Sequence, residues 1–398
     1  GNSYSHPYVQ ELIEWREKQG YNVIIAPENE TGNSTTSISS YIDNLYISSE
    51  NPPEIVGLIG DVDGTYGLQT FGVHGGDGDN EYAYITGGDY LPEIFIGRIS
   101  VNSSSDISNL INKTLTYEKA ENQQEWWYER AALVGDPSSS GISTITTNQY
   151  IQYIMENFGM TDIRTNYNSG NYNNWVNNQF DDGILYYNYR GYIGSSGIGQ
   201  NGLETGIYTP FVSSITCGTG NFGWGTSESE NWIRQGSIAN PQGAVAAVGV
   251  ATSSTHTMYN NIVNTGIYAS IFSQNIYNAG AALANGKLGL IKTYPTNTSA
   301  IGQFSQWTNL MGDPALHLWT DKPHDFVIDA PLSLSADAQN MEVNITDENG
   351  NPVYDARVTL ILGGQYFSAY TDQSGDAIVT WTSSSNGDAI ITAFKGGF

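Results

Sequence analysis

The sequence predicts an α/β protein: two subdomains, each built on a parallel sheet, followed by a small antiparallel β-sandwich. Across the first three hundred residues, short apolar strands alternate with helical patterns, the signature of a parallel sheet covered on both faces. From about Asp325 the pattern changes to short alternating strands with turns at Glu348-Asn-Gly350, Gly363-Gly364 and Gln373-Ser-Gly375, which predicts the sandwich. A repeat supplies the third observation. Gly57-Leu-Ile-Gly-Asp61 and Ala132-Leu-Val-Gly-Asp136 each end a strand in Gly-Asp, which places a boundary near residues 121–128. The expected domains are 1–125, 126–323 and 324–398.

In chain order, runs rich in β-branched and other apolar side chains predict strands at Tyr21-Asn-Val-Ile-Ile-Ala26, Ile55-Val-Gly-Leu-Ile-Gly60 and Ile94-Phe-Ile-Gly97. Further strands are predicted at Ala131-Ala-Leu-Val-Gly135, Ile184-Leu-Tyr-Tyr-Asn-Tyr189, Val212-Ser-Ser-Ile-Thr216 and Ala244-Val-Ala-Ala-Val-Gly249. Between them, helices are predicted near residues 8–18, 105–120, 147–157, 227–234 and 265–284. In such a sheet, ligands bind beyond the carboxyl ends of the strands.

Forty acidic residues against 14 basic ones give a formal charge of -26 in 398 residues. That charge repels nucleic acid and anionic membranes and favours solubility and calcium. One cysteine excludes an internal disulfide framework, and abundant Tyr, Trp, Gly, Asn and Ser with few Lys point to an extracellular protein. No apolar run approaches the roughly 18 residues that span a bilayer, so membrane insertion is not expected. The start at Gly1 without Met or signal peptide reads as a processed or recombinant fragment.

The single thiol, Cys217, lies in Ser213-Ser-Ile-Thr-Cys-Gly-Thr-Gly-Asn-Phe222, where a buried strand opens into a glycine turn. A thiol placed there is accessible to substrate, and the turn's N–H groups can bind an oxyanion. The plain alternative is a small buried hydrophobe. Among the histidines, His6, His317 and His324 read as structural. His256 lies just past the carboxyl end of the strand expected beside that of Cys217 and opens onto the same crevice; the alternative is a polar loop residue. The acidic, glycine-rich stretch Gly72-Val-His-Gly-Gly-Asp-Gly-Asp-Asn-Glu81, with Asp61 and Asp63, offers hard oxygen ligands for a structural Ca²⁺ at Asp61, Asp63, Asp77 and Glu81, or is a set of solvated turns. Gly197-Ile-Gly-Gln-Asn-Gly202 fits G-x-G-x-x-G but lacks the following helix that a dinucleotide site requires.

These residues together resemble the gingipain family of cysteine peptidases. The stretch from Asp79 through Gly88-Asp-Tyr-Leu-Pro-Glu-Ile-Phe-Ile-Gly-Arg-Ile-Ser100, Thr114-Leu-Thr-Tyr-Glu-Lys119, Asn188-Tyr-Arg-Gly191, Thr216-Cys-Gly-Thr-Gly-Asn-Phe222 and Met311-Gly-Asp-Pro-Ala-Leu316 carry the likeness. The resemblance implies a caspase-like catalytic fold of two parallel-sheet subdomains and a following Ig-like domain. It implies Cys217 as nucleophile and Asp79 as the acid that orients the histidine. The chain departs from the pattern at one place. The family's strand continues into His-Gly, whereas here Gly191 is followed by Tyr192-Ile-Gly194, and a tyrosine is a poor base at neutral pH. Either His256 has taken over the role or the fold has lost activity.

The leading expectation is therefore a secreted or cell-surface bacterial endopeptidase acting on proteins or peptides by a Cys217–His256 mechanism. Gly191, Gly218 and the Cys217 N–H would form the oxyanion site, with Tyr192 as a wall. Asp89 would line a pocket for a basic side chain. The rivals are an inactive peptidase-like scaffold for binding or adhesion, and a carbohydrate binder using surface Tyr and Trp.

Overall fold

The structure is a computed structural model that describes residues 3–120, 123–168, 172–192, 203–335, 337–382 and 387–396. The Gly197–Gly202 motif lies outside the described residues. In chain order the strands of the larger unit are β1 (Ile55–Ile59), β2 (Phe71–Val73), β3 (Gly76–Gly78), β4 (Phe95–Ile99) and β5 (Arg130–Gly135). They continue with β6 (Asp162–Asn166), β7 (Tyr186–Arg190), β8 (Phe211–Ser214), β9 (Ala246–Val250) and β10 (Thr308–Met311). α1 (Pro7–Lys18) belongs to the smaller unit; the helices of the larger one are α2 (Glu28–Thr31), α3 (Thr35–Ser48), α4 (Ser104–Lys119), α5 (Glu125–Tyr128) and α6 (Pro137–Ser140). After them come α7 (Ser143–Asn157), α8 (Asn173–Asp181), α9 (Glu228–Arg234), α10 (Thr257–Tyr268), α11 (Ala279–Thr293) and α12 (Thr298–Trp307).

Contacts divide the chain into two units, one of residues 1–6 and 26–321, the other of 7–25 and 322–398. In the first, eight strands form one sheet in the order β1-β4-β10-β9-β8-β7-β5-β6. The two separate sheets expected from the Gly-Asp repeat are thus strands of a single sheet. β10 joins the two groups: it pairs with β4 in parallel through Met311↔Arg98 and with β9 antiparallel through four residue pairs. The wholly parallel sheet expected from the apolar runs is therefore mixed, and β1, β4 and β10 run opposite to β5–β9. Gly57–Asp61 and Ala132–Asp136 end at opposite edges of the sheet.

β7, β8 and β9 are buried along their whole length, as central strands covered on both faces must be. Leu133, Tyr186, Phe211 and Val248 share one core with Val263 and Ile267 of α10 and Leu283 and Leu290 of α11. α4 and α9 start from capping boxes at Ser103 and Ser227, which satisfy the first free N–H groups of each helix. The helix expected over 265–284 is broken. α10 passes into a π-helical turn at Ala269–Ser273, and Asn275 takes a positive φ of 57° before α11.

The second unit contains β11 (Phe326–Asp329), β12 (Asn340–Asp347), β13 (Arg357–Leu362), β14 (Gln365–Tyr370), β15 (Asp376–Thr380) and β16 (Ala389–Phe394). They form two three-stranded sheets, β11-β12-β15 and β14-β13-β16, that share a core of Met341, Val343, Ile345, Val358, Leu360 and Val379. The strand expected at Tyr21–Ala26 does not form. Residues 21–25 belong with α1 to this unit, where Arg357 donates to Gly20 O at 3.4 Å and sits over the Tyr21 ring at 4.9 Å. Ile24 and Ile25 remain exposed, so the apolar run has no sheet edge to bury it.

Candidate active site

A buried polar network fixes the floor of the site. Asn188 on β7 donates to Asn148 Oδ1 of α7 at 2.7 Å and accepts from Asn264 of α10 at 2.8 Å, while Ser213 on β8 meets the Tyr268 hydroxyl at 2.8 Å. Burying amides and hydroxyls is tolerated only when each is paired. Here the pairing ties β7, β8, α7 and α10 into one register.

Beyond β8 the chain turns. Thr216 Oγ1 donates to Gly191 O at 2.9 Å, Gly218 takes a φ of 76° and its N–H donates to Thr252 O at 2.8 Å, and Thr219 Oγ1 donates back to Ser214 O at 2.7 Å. The positive φ is why a glycine follows the cysteine. Cys217 stands at this corner, half-buried, with Sγ 2.8 Å from Thr255 Oγ1. Asn260 Nδ2 also donates to that oxygen at 3.1 Å, and between Sγ and Oγ1 either atom can be the donor. The Gly218 N–H is thus spent on Thr252 and is not free in this structure to bind an oxyanion.

His256 is next to the sulfur's partner in sequence but has another task. It caps α10: its Nδ1 accepts the Met258 N–H at 3.1 Å, and its exposed ring meets Tyr259 edge-on. With Nδ1 accepting, a neutral ring carries its proton on Nε2. In this pose it has no free lone pair for the thiol proton. Tyr192 is 46% exposed at the end of β7, beside buried Gly191.

Asp79 is not placed to orient His256. Its two oxygens receive Arg98 Nε at 2.7 Å and Arg98 Nη2 at 2.8 Å, and Thr70 adds a third bond at 2.8 Å. Asp79 and Arg98 are both buried. Asp89 is exposed and is held locally by the Leu91 N–H at 2.8 Å.

The four acids expected to bind Ca²⁺ do not gather. Asp61, at the opposite edge of the sheet from Cys217, accepts from Arg234 at 2.7 Å, Asn102 at 2.6 Å and Val62 N at 2.6 Å. Asp63 is exposed. Asp77 accepts from Gly223 N at 3.1 Å, and Glu81 from Gln306; burial raises both carboxyls above their ordinary range. Among the described residues no group of three or more His, Cys, Asp or Glu could hold a metal ion. Calcium does not fit this set.

Sequence reasoning passed over several residues around the thiol. Thr255, Asn260 and Asn261 are polar residues of a loop and a helix start, which carry no catalytic signature. Arg190 is a charge ending a fully buried strand, and that mismatch was the available signal. The acidic loop is in part the β2–β3 hairpin, turning at His74 and Gly75 with φ of 50° and 82°. It lies against the segment after β9: Asp77 N donates to Ala251 O at 3.1 Å and Thr252 Oγ1 to Gly75 O at 3.3 Å. A Cβ on Gly76 would fall 2.2 Å from Ala251 O, so the contact requires glycine.

A half-buried thiol in a glycine turn at the carboxyl edge of parallel strands is a setting in which a cysteine can act as a nucleophile. The model of peptidase family C25 matches residues 3–319. The chain belongs to peptidase family C25. Among curated family relatives, gingipain R2 of Porphyromonas gingivalis is 25% identical over 390 residues, covering 93% of this chain and 51% of that protein. Lys-gingipain of the same organism is 29% identical over 163 residues, covering 38% of this chain and 9% of its own length. The chain thus spans about half or less of the curated relatives it matches. The crystal structure of the Arg-specific cysteine proteinase gingipain R superposes with a TM-score of 0.85 at 22% identity, covering 99% of this chain and 95% of that one. The fold is that of the family.

Proposed function

We propose that this chain is a secreted or surface bacterial cysteine endopeptidase that cleaves protein and peptide substrates through Cys217. The observation that carries the reading is the sulfur's setting: half-buried at the strand ends, with Sγ 2.8 Å from a Thr255 hydroxyl that Asn260 holds in place. The thiolate attacks the scissile carbonyl, and the Cys217 N–H with the Gly191 end of β7 receives the oxyanion. His256 is our assignment for the base and later the acid, and its ring must leave the Met258 N–H before Nδ1 can take a proton. Asp89, exposed and acidic, is assigned to a basic side chain at the cleavage site, in line with the Arg specificity in the name of gingipain R. The two-sheet unit with its shared core is read as the Ig-like domain of this architecture. Membership in a peptidase family favours activity over an inert scaffold.

Fluorogenic peptides with Arg, Lys, Leu or Asp before the scissile bond test the reading. Cys217→Ala is expected to abolish cleavage. His256→Asn retains a side chain able to cap α10, so its expected effect is a loss of roughly 10²–10⁴-fold in turnover, the usual worth of positioned proton transfer, at unchanged melting temperature. Full activity in that variant removes His256 from the mechanism. No cleavage of any peptide by wild type, with no alkylation of Cys217, removes the peptidase reading.

A further inference from the structure

Arg190 ends β7 and is completely buried. Its Nε and Nη2 both donate to Asn261 Oδ1, at 3.0 Å and 2.6 Å, while Nη1 has no hydrogen-bond partner among the described residues. A buried guanidinium with an unspent donor is costly unless an opposite charge faces it. The opposing group follows from the local geometry. Thr216 Oγ1 donates to Gly191 O, so Arg190 and Cys217 flank one hydrogen bond from either side. Consecutive residues of α10 complete the frame: Asn260 holds Thr255, which touches Sγ, and Asn261 holds Arg190.

We propose that Arg190 is the electrostatic partner of Cys217, a positioning residue whose guanidinium stabilises the thiolate where Tyr192 stands in place of a histidine. Burial pushes the guanidinium down to about 10, and Tyr189 and Cys217 are the neighbours that hold it up, which agrees with the sulfur facing this cation. Even so it stays charged across the neutral range. Arginine cannot exchange a proton there, so it supplies the charge that an imidazolium would supply and leaves proton transfer to another group. The other titratable groups near the turn are Tyr189 and Tyr192 at the end of β7, Asp136 after β5, His256 at the start of α10, and His74 and Asp77 on the β2–β3 hairpin. The inference rests on the reading of Cys217 as nucleophile, but its test needs no peptide substrate.

The test is the rate of iodoacetamide alkylation of Cys217 in the full chain between pH 5 and 10. In wild type, alkylation is expected to be already rapid near pH 6. A profile that rises only around pH 8.5, the ordinary thiol range, overturns the proposal without any variant. Arg190→Gln is expected to slow alkylation at pH 6 by about tenfold or more, the effect of removing one close cation. Arg190→Lys restores much of the rate. Asn261→Ala removes the anchor, keeps the charge, and leaves the profile in place. An unchanged profile in folded Arg190→Gln, or equal slowing in Asn261→Ala, assigns Arg190 to the frame of α10 alone and refutes the partnership. Wild type that alkylates at pH 6 yet cuts no peptide leaves this inference standing and removes only the peptidase reading.

Discussion

Replacing Asp79 by Asn separates a structural carboxylate from a catalytic one. The carboxylate meets Arg98 at two points, 2.7 Å and 2.8 Å, with both partners buried, and Arg98 uses its third nitrogen on Gly60 O at 3.0 Å and Leu68 O at 2.8 Å. The cation cannot swing to water. An Asn at this place puts an amide N–H against a guanidinium and leaves its charge unpaired. Breaking a buried pair from one side costs about 3–5 kcal/mol. At ~2–4 °C per kcal/mol for a large unit, that is a fall in melting temperature of roughly 6–20 °C. Thermal unfolding followed by tryptophan fluorescence measures it, with Cys217 alkylation on the folded variant as the second readout. The expected result is a large loss of stability with alkylation intact. Asp79→Leu with Arg98→Met, which removes both charges, recovers much of the loss. A variant with wild-type stability and impaired alkylation refutes the structural reading and returns Asp79 to the active site.

Two further outcomes follow from the charges. Lys287, buried on α11 with Asn80 Oδ1 as its partner at 2.8 Å, is pushed down to about 7 by burial, against the opposing pull of Asp79. Between that value and the ordinary lysine range near 10.4, the unfolded chain holds a proton that the folded chain does not, so stability rises with pH across this window. Denaturant midpoints at pH 7, 8 and 9 are expected to climb in wild type and to climb less in Lys287→Met; equal slopes contradict the assignment. Chelation gives the second outcome. Because Arg234, Asn102 and the Val62 N–H fill the coordination of Asp61, EDTA is expected to leave the melting temperature unchanged, and a fall of several degrees would reveal a metal these contacts do not account for.

The thiol was legible because its signal is local: a lone cysteine where a buried strand breaks into Gly-Thr-Gly needs no tertiary knowledge. The central strands were legible for the same reason, since the runs that form β7, β8 and β9 carry mostly apolar or aromatic side chains and are buried along their whole length. Strand direction was not. An apolar run reads identically in either sense, so nothing in Thr308–Met311 announces that β10 lies antiparallel to β9 and thereby sends Asp61 to the far edge. The acidic loops misled for a related reason. Composition counts carboxylates but not their partners, and Arg98 and Arg234, two of only 14 basic residues, are committed to Asp79 and Asp61. In a chain this acidic, each buried cation has many acids to choose from, and the one it takes is withdrawn from metal binding and from catalysis. Not every buried cation takes one: Lys113 holds the carbonyls of Ile233, Gln235 and Gln242, Lys287 holds Asn80, and Arg190 holds Asn261 while its Nη1 has no hydrogen-bond partner among the described residues. What sets Arg190 apart is the unspent Nη1, and the anion we propose to meet it is the thiolate of Cys217.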